Sequence, residues 1–321
     1  MAAVCAIGSL PMTAAATRST AAVPLPSYVR LNDWARDNHL DVRSPDHGKT
    51  LQLISSRATL SFNTDPRQDL RRAEINGTEV WLAFPLRVQN GAAYVSQIDV
   101  EKTLAPVLSP PANSRSAKIK TICIDAGHGG TDPGFRVGSN EEKKYTLLLA
   151  QEVREQLKSA GFTVVFTRST DVKVSLDSRV EAARRSRADL FVSLHFNAFP
   201  PVTQVNGVEV YCCTPAGGTS FNAGGEGDTR GVAGNRNDEK NFLLAYQVQR
   251  TIVKNLQVED RGVKRARYRV LRDATMPAIL IEGGFMSNPA EGRKIFDPAW
   301  RHQMARSIVE GIVAYQRGVK G

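Results

Sequence analysis

From Thr121 onward the chain alternates short runs of apolar, β-branched residues with longer stretches in which apolar positions recur every three or four residues. The first kind reads as buried strands and the second as amphipathic helices. Thr121 to Ile124 predicts a strand, followed by a helix from about Glu142 to Ala160 with Leu147, Ala150, Val153 and Leu157 on one face. Then come a strand over Phe162 to Phe166, a helix over Leu176 to Arg185, a strand from Leu190 to Leu194 and a strand from Gly207 to Tyr211. The remainder predicts a helix near Phe242 to Leu256, strands near Tyr268 to Leu271 and Ala278 to Ile281, and a closing helix from Trp300 to Tyr315. Alternation of this kind implies an α/β fold, a mostly parallel sheet covered by helices on both faces.

The part before Val107 is patterned differently. Asn76-Gly77 and Asn90-Gly91 are hairpin-turn signals beside Val80 to Phe84 and Ala93 to Val95, which predicts a small sheet-rich α+β domain. A weak repeat runs through it: Tyr28-Val29 before Leu31-Asn-Asp-Trp-Ala35, and Tyr94-Val95 before Ile98-Asp-Val-Glu-Lys102, each a short strand leading into a short helix. The Pro- and Ser-rich stretch 108–117 reads as the linker, giving an accessory domain over 27–107 and a main domain over 118–321. Residues 1–26, rich in Ala, Thr and Ser, read as the remnant of a signal peptide or a tail. No stretch has the length of a membrane span, so an exported protein, periplasmic or secreted to the cell wall, is expected.

Composition narrows the partners. The net charge of +10 over 321 residues is spread along the chain, which favours an anionic partner. No paired-cysteine module or aromatic-interleaved basic strand points to nucleic acid. Four cysteines lack zinc-thiolate spacing; Cys212 and Cys213 read as alternating strand positions.

Three predicted strands end in residues able to bind a metal or move a proton: His128 in Ile124-Asp-Ala-Gly-His-Gly-Gly130, His195 in Ser193-Leu-His-Phe-Asn197, and Glu282 in Ile279-Leu-Ile-Glu-Gly-Gly-Phe285. Ligands collect at the carboxyl ends of strands in open α/β sheets, so the three are expected at one edge. A hydrolytic zinc ion needs about three protein ligands and one open position. Two imidazoles require a carboxylate, for which Glu141 and Glu142 at the next helix start, Asp125 and Asp132 compete. Asp125 is expected to orient a ligand histidine by accepting its second ring N–H. Glu282, after the most apolar strand, could take a proton from an attacking water and pass it to a leaving nitrogen. His39 and His47 are read as surface or capping residues.

At these residues the chain resembles the zinc-dependent N-acetylmuramoyl-L-alanine amidases of the third amidase family, from about Lys118 to Tyr315. The matching stretches include Ile124 to Gly134, Glu142-Lys143, Thr167-Arg168 with Asp171, and Leu176-Asp-Ser-Arg179. They continue with Ala188 to Ala198, Arg261-Gly-Val-Lys264, Val270-Leu-Arg272, Met276 to Glu282 and Gly284 to Asn288. The resemblance implies His128, Glu142 and His195 as ligands of one Zn2+, Glu282 as catalytic acid/base, and peptidoglycan as substrate, with a protein activator left open. It assigns Arg179 and Asn197 to support of the site. Ala126 and Phe196 depart from the family pattern, and Phe196 is expected to narrow the pocket. Some relatives block the site with an inserted helix; Ala216 to Asn241, dominated by Gly, Asn and charged residues, predicts a mobile loop instead. Residues 25 to 107 resemble the small domain named after the N-terminal region of copper amine oxidases, which implies scaffolding or wall targeting.

Overall fold

The computed structural model describes residues 27–46, 48–113, 118–223 and 230–319. The segment 1–26, His47, the linker residues 114–117 and part of the 216–241 stretch lie outside them.

One sheet of eleven strands runs through both regions of the chain. From one edge its order is Thr163–Phe166, Thr121–Ala126, Leu190–Asn197, Ala278–Phe285, Val208–Cys213 and Asp260–Ala266. It continues through Thr78–Trp81, Arg72–Ile75, Thr59–Asn63, Thr50–Ile54 and Asp41–Arg43. The first four strands are parallel, Val208–Cys213 runs antiparallel to Ala278–Phe285, and the last five form an antiparallel meander. The sheet is therefore mixed, which corrects the expectation of a mostly parallel one. Its cause is local: Val208–Cys213 enters beside Ala278–Phe285 pointing the other way, and tight hairpins allow only antiparallel neighbours in the front region.

The hairpin signals hold. Asn76 and Gly77 have φ of 51° and 73°, and Asn90 and Gly91 have 51° and 72°, the left-handed pairs a two-residue turn requires. The repeated strand-to-helix units meet as the antiparallel pair Tyr28–Arg30 and Ala92–Ser96 of a separate three-stranded sheet. The front meander joins the main sheet where Val80 faces Val263, and one hydrophobic core contains Leu60, Ile75 and Val80 together with Val210, Val263 and Ile281.

Helices Glu142–Ser159, Asp238–Leu256 and Pro298–Gly318 cover one face, and Leu176–Arg185 with the short Arg269–Arg272 helix covers the other. The Arg269–Arg272 helix stands where a strand was expected, and the strand itself is Asp260–Ala266. That strand carries Arg261, Lys264 and Arg265, a composition that reads as a solvated basic run; here Lys264 and Arg265 are buried because acceptors on neighbouring elements meet them. Cys212 and Cys213 fall in different core clusters on opposite faces, both free. Among the described residues no helix is long and apolar enough to cross a membrane.

Candidate active site

His128, Glu142 and His195 bring one ligand atom each to within 4.8 Å of one another. His195 lies near the carboxyl end of Leu190–Asn197, and its neighbour in register is Glu282. His128 lies in the turn after Thr121–Ala126 with φ of 60°, followed by Gly129 at 127° and Gly130 at 57°. A histidine held left-handed needs surroundings that fix it.

Two buried arginines supply that. Arg179 donates to Asp125 Oδ1 at 2.6 Å, to the Ala126 carbonyl at 2.7 Å and to the His128 carbonyl at 2.7 Å. Arg168 donates to the carbonyls of Ala126, Gly127 and Lys143 at 2.9, 2.8 and 2.7 Å. Lys143 and Asp171 close the clamp, with Lys143 Nζ 2.9 Å from the Gly130 carbonyl and the Gly130 N–H 2.7 Å from Asp171 Oδ1. The supporting role expected of Arg179 is thus to tie the strand end to the carbonyl of His128 itself.

Asp125 does not orient a histidine. Its carboxylate is 1% exposed and accepts from Thr167 Oγ1, Arg179 and Ser193 Oγ, on the sheet face beneath the turn. Asp132, four residues past His128, takes that part: its Oδ2 lies 2.9 Å from His128 Nδ1. The expectation fell on Asp125 because it stands in the strand-end turn itself, whereas only the fold back at the Gly129 and Asp132 bridge brings the second aspartate to the ring.

Between the adjacent glutamates the helix start decides. Glu141 is extended and reaches outward to Arg136 and Lys143. Glu142 turns inward as the first helical residue, where the helix dipole also favours a carboxylate. Its Oε1 lies 3.0 Å from His128 Nε2, 3.1 Å from His195 Nδ1 and 3.1 Å from the Phe196 N–H, while Oε2 accepts from the Phe135 N–H at 3.0 Å. Burial raises the Glu142 pKa, but the hydrogen bonds and charges of the two histidines outweigh it and hold the carboxyl well below the usual range. Burial lowers the His128 pKa, and Glu142 and Asp132 more than restore it.

The donor set fits a divalent cation. A tetrahedron with arms of about 2.0–2.1 Å has edges of about 3.3 Å, and the two imidazole nitrogens at 3.0 and 3.1 Å from one carboxylate oxygen are already close to that length. Space is tight around the cluster. A Cβ on Gly134, whose φ is 64°, would lie 2.5 Å from Glu142 Oε2 and 2.8 Å from His128 Cδ2. Gly134→Ala should therefore weaken metal retention at least about tenfold in a chelator competition, because both donors must move; retention equal to the wild type would show that the site tolerates the shift.

Glu282 borders the cluster and is half-buried, and its Oε2 is buried without a hydrogen-bond partner. Burial first, then the charges of Glu142 and Glu209, push its pKa well above the ordinary glutamate value, with Lys264 opposing. Phe196 does not narrow the site. It points to the opposite face from His195 and is 1% exposed in the main core, against the position of Gly283. Asn197 donates from Nδ2 to Glu209 Oε1 at 2.8 Å, a buried carboxylate that gave no sign in the sequence beyond its place inside an apolar strand. The 216–223 limb docks on the front region: Thr219 Oγ1 donates to the Ala83 carbonyl, and the Phe221 ring meets Trp81 edge-on at 5.0 Å.

Comparison with known proteins follows the same residues. The family model described as N-acetylmuramoyl-L-alanine amidase matches residues 122–314. AmiC of Neisseria meningitidis serogroup B, an N-acetylmuramoyl-L-alanine amidase, is 35% identical over 240 residues, 67% of this chain and 57% of that protein. Among solved structures, the N-acetylmuramoyl-L-alanine amidase of Clostridium difficile 630 superposes with a TM-score of 0.53 at 33% identity, covering 62% of this chain and 97% of that one. The amidase AmiC2 of Nostoc punctiforme gives 0.53 at 32% identity, covering 63% and 99%.

Proposed function

This chain belongs to the N-acetylmuramoyl-L-alanine amidase family, and from that premise we propose that it hydrolyses the amide bond between N-acetylmuramic acid and the L-alanine of peptidoglycan stem peptides. His128, Glu142 and His195 would hold one zinc ion, two imidazoles and one carboxylate being a donor set typical of catalytic zinc. The observation that carries the reading is the convergence of those three side chains beside Glu282, a carboxylate with an unpartnered buried oxygen.

When bound, zinc acidifies water and polarises a carbonyl. The protein's own residues do the rest. Asp132 fixes the ring of His128 so that Nε2 faces the cluster. Glu282, with a raised proton affinity, takes the proton of the attacking water and returns it to the leaving amine of L-alanine. The glycines around His128 let the chain's own groups pack directly against the turn: the His195 ring against Gly127, Arg168 and the Val172 carbonyl against Gly129, and Lys173 against Gly130. The site of action would be the periplasm or the cell wall. The strand-to-helix repeat in the front region supports reading it as the copper amine oxidase N-terminal type of domain, serving as scaffold or wall-targeting unit.

Digestion of purified sacculi with zinc-loaded protein should release intact stem peptides with a free L-alanine amine, identified by mass. A chelator should stop the release and added zinc restore it. Fragments cut within the peptide would instead identify a peptidase on the same scaffold, and binding without products a silent wall-binding module.

A further inference from the structure

Beside Glu282 in the sheet lies a second carboxylate that the hydrolytic mechanism does not use. Glu209 is the register partner of Glu282 across the antiparallel pair, as His195 is across the parallel one, so the three side chains share a row on one face. Glu209 is 2% exposed. Its Oε1 accepts from Asn197 Nδ2 at 2.8 Å and from the Tyr211 hydroxyl at 2.7 Å, and its Oε2 accepts from Arg261 Nε at 3.2 Å and from Lys264 Nζ. Lys264 is itself 6% exposed and is covered by the Trp81 and Phe221 rings, 5.5 and 5.3 Å from its nitrogen. Two cations and two neutral donors thus converge on one anion.

A buried charge cluster of this kind rarely adds net stability over packed apolar residues, so what it holds in place is the informative question. It holds Asn197. The pairing of Leu190–Asn197 with Ala278–Phe285 shifts register between His195 and Asn197: His195 faces Glu282, but Asn197 faces Phe285. The extra residue makes a bulge directly after both site residues, with Gly284 at φ of 120°. Asn197 closes that bulge. Its carbonyl accepts the Met286 N–H at 2.8 Å and its Oδ1 accepts the Ala198 N–H at 2.8 Å, which leaves Nδ2 for Glu209. The side-chain amide is thus held from both ends, by the Ala198 N–H on Oδ1 and by Glu209 on Nδ2.

We propose that Glu209 is a positioning residue: through Asn197 it pins the bulge that aims His195 and Glu282 at their common site, with Lys264 and Arg261 as its counter-charges. The inference rests on the metal-site reading given above. It also draws the front region into the active-site scaffold, since Trp81 seals Lys264 against Glu209.

Asn197→Ala is the decisive variant, because Glu209 keeps Tyr211, Arg261 and Lys264 and no buried charge is stranded. Zinc competition with a chromophoric chelator should show affinity weakened about 10- to 100-fold, the range for lost outer-shell support. On a soluble muramoyl-peptide, kcat should fall by about the same factor, with KM changed less than about threefold. Glu209→Ala should lose at least as much affinity, and the double variant no more than Glu209→Ala alone, since both act on one link. If Glu209→Ala does not fold, Asn197→Ala decides by itself. Wild-type zinc affinity and kcat in Asn197→Ala, or additive losses in the double variant, would overturn the proposal. A wild-type protein that retains no zinc would instead overturn the metal-site reading, so the two failures are distinguishable.

Discussion

Glu282→Gln should abolish stem-peptide release, lowering kcat by about 10²- to 10⁴-fold, the usual range for loss of a positioned acid/base, while zinc content and melting temperature stay at wild-type values. The exchange keeps the shape of the side chain. It removes only the ability to accept a proton from water and give it to the leaving nitrogen. Stability should hold because Glu282 Oε2 has no hydrogen-bond partner to lose, and because removing a carboxylate beside Glu142 and Glu209 relieves like-charge repulsion. The wild-type pH profile should support the same assignment. Burial and the two neighbouring carboxylates raise the Glu282 pKa, so the base form is lost as pH falls, and the acid limb of kcat/KM should sit above the ordinary glutamate range. A bound cation moves that limb back towards lower pH by offsetting the charge of Glu142. A Glu282→Gln protein that still digests sacculi at more than about a tenth of the wild-type rate would remove Glu282 from the proton-transfer role.

The difference between what the chain announced and what it withheld follows from the range of the interactions concerned. His128, His195 and Glu282 stood out in the sequence because each follows a run of apolar, β-branched residues, although the strands Leu190–Asn197 and Ala278–Phe285 continue past His195 and Glu282. The periodic helices were legible for the same reason; Leu176–Arg185 begins and ends where its pattern does. What the chain withheld depends on partners far apart in sequence. Asp132 rather than Asp125 meets His128 because the turn folds back, and Asp125 is drawn away by Thr167, Arg179 and Ser193, 42 to 68 positions distant. Asp260–Ala266 was hidden because burial of Lys264 and Arg265 is compensated by Glu209 on one neighbour and by Lys102 and Thr103 on another, none of which a local window contains. Phe196 was misplaced because alternation sends it to the core face whenever His195 points at the site.

Removing the front region by starting the chain at Ser109 should cost the catalytic part most of its stability, although a Pro- and Ser-rich stretch separates the two in sequence. Three contacts make the argument. Thr78–Trp81 covers the edge of Asp260–Ala266, which would otherwise present unpaired backbone groups beside the site. Arg265, 2% exposed, donates from Nη2 to the Lys102 carbonyl at 2.7 Å and to Thr103 Oγ1 at 2.8 Å, and the truncation removes both acceptors from that guanidinium. Tyr246 on a core helix gives its hydroxyl to the Ile75 carbonyl at 3.2 Å, while Leu60, Ile75 and Val80 belong to the same hydrophobic core as Val210 and Ile281. Loss of partners for a buried charge alone costs about 3–5 kcal/mol. At roughly 2–4 °C per kcal/mol for a domain of this size, the melting temperature should fall by about 6–20 °C, with aggregation through the bared edge. Arg265→Met in the truncated chain separates the contributions: it should recover part of the loss by removing the stranded charge, but not the aggregation, which belongs to the edge strand. A truncated protein that melts within a few degrees of the full chain and stays monomeric would mean that the shared sheet is a contact of convenience, and that Trp81 has no part in holding Lys264 beside the catalytic row.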